Sequence, residues 1–220
     1  MRLSNPFTHL LATTLCFILI FTACSTAWIG EAEQIVAALI PAATNLVALI
    51  TELQGSLSTA DVQTMQSAGT QATADLQLMQ SLITQYQKAD ATAQPGILNQ
   101  IQAALSAVQS NLSSLLPALH IKDAATQAKV TALVGILISE VESVAAIVPA
   151  VNPAASPAMM QMAARQSHKR PPLPASEFVS SYNAVMTART GNHELDRATI
   201  GLRIHVHRNF ARWTTAGLLK

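Results

Sequence analysis

Apolar residues recur at alternating steps of three and four along four long stretches of this chain, the spacing that gathers side chains on one face of an α-helix. The first stripe is Val36, Leu39, Ala43, Leu46, Ile50 and Leu53, and the second is Val62, Met65, Gly69, Ala72, Leu76, Met79, Ile83 and Tyr86. Leu98, Ile101, Leu105, Val108, Leu112 and Leu115 form the third, and Val130, Leu133, Leu137, Val141, Val144 and Val148 the fourth. Four amphipathic helices are predicted. Connections of roughly 4 to 8 residues favour antiparallel neighbours, so the expected fold is all-α: an antiparallel four-helix bundle over residues 24–150, with an extended, oligomerising hairpin as the alternative.

The ends of these helices carry their own signals. Gly55 can take a left-handed conformation and close the first helix. Ser58-Thr-Ala-Asp61 resembles a capping box, Pro95 suits the first turn of the third helix, Pro117 ends that helix or lies just past it, and Pro149, Pro153 and Pro157 stop the fourth. Pro41 lies inside the first stripe, where the lost N–H predicts a kink or a split. Helices two and three are rich in Gln, Ser, Thr and Ala, so their apolar stripes are narrow. Gly69 and Ala72 permit close approach but supply few contacts, and that layer is expected to be the weakest.

Charge divides the chain. Between Cys24 and Ala164 three lysines face nine carboxylates, whereas from Arg165 to Lys220 nine bases face Glu177, Glu194 and Asp196. The basic, proline-rich run Arg165-Gln-Ser-His-Lys-Arg-Pro-Pro-Leu-Pro174 reads as a linker, and residues 151–176 are assigned to it. Residues 177–220 then form a basic, partly irregular C-terminal segment. Phe178, Tyr182, Val185 and Met186 share one face of a short helix that Ser176 can cap, and Thr190-Gly191-Asn192 reads as a turn. From Ile200 to Val206 apolar residues alternate with polar ones as in a half-buried strand, yet Leu202, Val206, Phe210 and Trp213 also fit a helix. A helix or an irregular segment is favoured, because a lone strand leaves backbone groups unpaired.

Candidate chemistry is sparse. A metal centre inside a helical bundle needs inward carboxylates and a Glu-x-x-His pair, which the sequence lacks. The nine acids from Glu31 to Glu142 are expected on solvated faces or helix ends, His120 at a cap or surface, and the methionines as packing filler. His205 and His207 are candidate metal ligands with His193 or His168 as a third, although two exposed histidines on a basic surface explain the spacing as well. His193-Glu194 begins like a zincin helix, but Arg197 stands where the second His must be. Without a nucleophile elbow, a phosphate loop or a dinucleotide fingerprint, no enzyme and no cofactor are expected.

The N-terminus supplies the clearest address. Met1 and Arg2 precede an apolar stretch from about Leu10 to Phe21 and then Thr22-Ala23-Cys24, the three parts of a secretory leader. This leader resembles the signal peptide of bacterial lipoproteins, a resemblance confined to residues 1–25, with Phe21 departing from the Leu preferred there. It implies cleavage after residue 23, lipidation of Cys24 and a protein of the cell envelope, in the outer membrane if the host has one, since Ser25 is not the Asp of inner-membrane retention. An uncleaved anchor is the alternative. Cys16 leaves with the leader in the first case, so no disulfide is expected. Trp28 fits either the membrane interface or the end of the bundle.

Together these features predict a lipid-anchored, non-enzymatic helical module that scaffolds, self-associates or binds a protein partner. The alternative is binding of a membrane surface or another polyanion through Arg203, Arg208, Arg212 and Trp213 of the tail. Nucleic acid is not an expected partner of an exported chain. Opposite net charges also allow the tail to fold back on the acidic helices.

Overall fold

The computed structural model describes residues 27–149 and 174–205, and within them the chain is helical with no strand. Four long helices, α1 (Ala27–Glu52), α2 (Thr59–Lys88), α3 (Gln94–Leu115) and α4 (Ala124–Ile147), are followed by α5 (Ala175–Thr187) and α6 (His193–Gly201). Single 3-10 turns lie at Gln54–Ser56 and Leu116–Ala118. Ile200 belongs to α6 and residues 203–205 are irregular, which settles the helix-or-strand alternative as far as His205. Val206, Phe210 and Trp213 lie outside the described residues, as do the leader and most of the proline-rich linker.

Local chemistry accounts for most of the helix ends. The Ser58 hydroxyl accepts the Asp61 amide at 3.1 Å and Asp123 accepts the Thr126 amide at 2.7 Å, each satisfying a first-turn donor that has no partner inside its helix. Pro95 occupies the first turn of α3, and Pro117 sits in the 3-10 turn that ends it. Asp90 gathers the Thr92 hydroxyl and the Thr92 and Ala93 amides between α2 and α3, and the Thr92 hydroxyl leads in holding this carboxyl below its usual range. Two sequence expectations need correction, and at Pro41 one of two alternatives is removed. Gly55 is not left-handed: among the described residues only Gly191 has a positive φ, and α1 runs out through a 3-10 turn instead. Pro41 does not split α1, which continues through it. Ser176 lies inside α5, whose N-cap position is held by Pro174.

Every residue of the four predicted stripes is buried. The layer at Gly69 is close rather than empty: a Cβ added there would stand 2.7 Å from Val47 Cγ2. Bonds between neighbouring helices set their register. Gln66 donates to Thr51 and Gln87 to Glu33 across α1 and α2, Asn111 donates to Asp75 across α2 and α3, and Gln109 donates to Glu142 across α3 and α4.

Two of the long helices bury a second face. On α1, Ile35, Ala38, Ala42 and Leu49 continue a stripe that includes Asn45, and on α4 Thr126, Lys129 and Glu140 are buried beside the predicted row. α5 packs on both helices, and α6 packs on α1. Phe178, Val179, Tyr182 and Met186 of α5 and Leu195 of α6 join the same continuous core as the long helices. Each large side chain buried there contributes about 1.5–3 kcal/mol.

Candidate functional site

The second face of α4 carries the unusual chemistry. Lys129 and Glu140 are eleven residues, three helical turns, apart, which places them on one side of the helix about 16 Å from each other. Both are buried, at 5% and 0% exposure. Their surroundings differ completely.

Lys129 is saturated with partners. Its Nζ donates to the Ala188 carbonyl at the end of α5 (2.8 Å) and to the Thr199 hydroxyl of α6 (2.9 Å), and it stands 3.9 Å from Asp196 Oδ1. A cation at a helix C-terminus complements the carbonyls that lack intrahelical partners there. Burial lowers its pKa while Asp196 opposes that shift. Asp196 is itself fixed: its Oδ1 accepts the Thr190 amide and hydroxyl, both at 2.9 Å, and the amide leads the groups that hold its pKa below the usual carboxylate range. One buried cation thus joins the start of α4 to the α5–α6 turn. Asn192, whose Oδ1 accepts the Leu195 amide, caps α6 within the same turn.

Glu140 is the opposite case. Neither carboxyl oxygen has a hydrogen-bond partner, both are shut off from solvent, and the nearest opposing charge on this face belongs to the occupied Lys129. Burial pushes its pKa up to about 7, with the Glu177 carboxylate on α5 adding to the rise. The expectation of a solvated carboxylate is therefore overturned at this position. Glu140 follows Leu137 by three residues and precedes Val144 by four, so it falls within the apolar phase of α4, a signal present in the sequence. The Tyr182 hydroxyl on α5 is also buried, beside the Asn45 side chain but outside hydrogen-bond geometry, and burial raises its pKa while Asn45 opposes that shift.

Side-chain amides hold the chain beyond α6. Asn45 Nδ2 donates to the Leu202 carbonyl at 2.6 Å, while Asn183 donates to the Ile204 carbonyl and accepts the Ile204 amide, both at 2.9 Å. Asn45 and Lys129 thus dock residues 175–204 onto α1 and α4, and Asn183 ties the end of this segment back to α5. The charge sense is the reverse of the one expected from regional totals: the cation comes from the acidic region and the carboxylate from the basic one.

The predicted site residues scatter. His193 and His205 are exposed, His207 lies outside the described residues, and no group of three His, Cys, Asp or Glu able to hold a metal occurs among the described residues. Arg203 is exposed and its Nε donates to the Ile200 carbonyl; Arg208, Arg212, Trp213 and the lipidation candidate Cys24 lie outside the described residues. His120 is exposed with Nδ1 3.5 Å from Asp61. Trp28, left open between membrane and protein, is buried with its ring 5.3 Å from that of Tyr86 in an edge-on contact. Comparison of the chain with protein-family models, curated proteins and solved structures finds no match.

Proposed function

We propose that this chain is a lipid-anchored, non-enzymatic helical module of the cell envelope that scaffolds or binds a protein partner. The observation that carries the reading is the closeness of the tether to a rigid core: α1 starts at Ala27, and Trp28, four residues after Cys24, is already buried against Tyr86. Acyl chains on Cys24 would hold the helical body against the bilayer with almost no slack, and two or more chains make such attachment durable. The same reading takes the four long helices as an antiparallel, up-down-up-down bundle. In its favour, the end of α1 bonds to the first part of α2 through Thr51 and Gln66, and the start of α1 bonds to the end of α2 through Glu33 and Gln87. Buried Lys129 of α4 is locked to Ala188, Thr199 and Asp196, an arrangement suited to holding the fold together and not to meeting a substrate.

A second reading, polyanion binding by the basic segment, has one observation in its favour. Arg189, Arg197 and Arg203 are exposed, and among the described residues none forms an ion pair. Asn45, which holds Leu202, lies about 27 Å along α1 from Ala27, so this basic end faces away from the tether. Fractionation tests the main reading: the wild-type chain stays with membranes through high-salt and alkaline washes, and Cys24→Ser releases it. Release of the wild type would contradict the tether. Co-sedimentation of Cys24→Ser chains with anionic vesicles, with and without residues 206–220, tests the second; equal binding by both would remove a role for the tail.

A further inference from the structure

The join between α4 and α5 contains a carboxyl that no described residue compensates. Glu140 of α4 is closed over by α5, both its oxygens lack partners, and the only charged residue that α5 itself carries is Glu177, of the same sign. Other elements packed on α4 supply no remedy. α3 has no charged or titratable residue along its length, and on α1 Glu33 bonds to Gln87 while Glu31 and Glu52 are exposed. On α4 itself, Glu142 accepts a bond from Gln109, and Lys129 is committed to Ala188, Thr199 and Asp196 three turns away. Arg165, His168, Lys169 and Arg170 precede α5 in the sequence and lie outside the described residues. An ionised carboxylate here weakens the join, because a buried charge without a partner is costlier than the same charge exposed to water.

We propose that α5 and α6 form a proton-linked cover, which seats on α1 and α4 while Glu140 is protonated and lifts as that carboxyl ionises. Docking is apolar through Phe178, Tyr182 and Met186, so it needs no fixed charge at Glu140. Lifting hydrates Glu140, separates it from Glu177 and uncovers the apolar row Ile35, Ala38, Ala42 and Leu49 of α1 together with the flank of α4 that carries Glu140. The proton is lost to water, and no other reaction is involved. The device does not depend on the lipid tether and stands or falls separately from it.

The direction of the pH effect follows from the raised affinity for the proton. In the open form Glu140 titrates near the ordinary 4.5, and in the closed form near 7. Closure is therefore fully favoured below about pH 4.5, weakens as pH rises to about 7 and is constant above that. Between about pH 5.5 and 7.5 the closing equilibrium falls about 20-fold.

Amide hydrogen exchange on the full-length chain, corrected for the intrinsic pH dependence of exchange, reads this equilibrium. The expected result is an approximately 20-fold loss of protection at Phe178, Val179 and Tyr182 across that interval, with α2 and α3 amides unchanged. Glu140→Gln flattens the dependence. Glu177→Gln keeps most of it with a lower midpoint, because burial is the larger cause of the shift. Carboxyl-carbon NMR of Glu140 in the wild type gives a midpoint near 7 and needs no substitution. A midpoint in the ordinary carboxylate range, an unaltered slope in Glu140→Gln, or simultaneous loss of protection in α2 and α3 would each overturn the proposal.

Discussion

Replacing Gly69 by Ala tests how closely α1 and α2 approach. The new methyl would lie 2.7 Å from Val47 Cγ2, about 1 Å inside an ordinary carbon–carbon contact. Val47 is β-branched and helical, so its side chain has essentially one comfortable rotamer and cannot turn the methyl away. The helices must shift apart, at a cost of about 1–3 kcal/mol. Alanine returns about 1 kcal/mol through its better helix propensity, which leaves Gly69→Ala destabilising by about 0–2 kcal/mol. In a Val47→Ala background the obstruction is gone, and the same substitution stabilises by about 1 kcal/mol. The difference, a coupling of about 1–3 kcal/mol, is measurable by urea denaturation of the four variants followed by far-UV circular dichroism. Equal effects of Gly69→Ala in both backgrounds, within about 0.5 kcal/mol, would refute the close approach.

Glu140→Met removes the buried ionisable group, and the rise from 4.5 to about 7 corresponds to about 3 kcal/mol of stability regained above pH 8 and little below pH 4.5, checked by denaturation across pH. Lys129→Met leaves Ala188, Thr199 and Asp196 without their shared donor, so α6 amides exchange faster by the equivalent of about 1–3 kcal/mol while α2 and α3 are unaffected. Asp123→Ala deprives the first turn of α4 of its cap and costs about 1 kcal/mol, measured by the same denaturation.

The four stripes were legible because a helix that buries one face must place apolar residues at steps of three and four, and each long helix here does so. The caps at Ser58 and the placement of Pro95 were legible because those residue types solve a local backbone problem. What the stripes did not disclose is the second buried face of α1 and α4. Periodicity marks a helix as amphipathic only while its other side is polar, and Ile35, Ala38, Ala42 and Leu49 read equally well as a broad apolar helix until α5 is placed on it. Regional net charge allowed the docking of the C-terminal helices without disclosing its chemistry, which depends on Phe178, Tyr182 and one inverted ion pair rather than on totals. Glu140 escaped notice for a related reason: a carboxylate is ordinarily solvated, and only the helix that covers it makes its position in the apolar phase costly.

The tether is the claim on which the proposed function rests most heavily, and the mass of the N-terminal peptide of the protein recovered from its native membranes tests it most directly. The account predicts a peptide that begins at Cys24 and carries acyl chains. A peptide retaining residues 1–23, or one beginning at an unmodified Cys24, would contradict it.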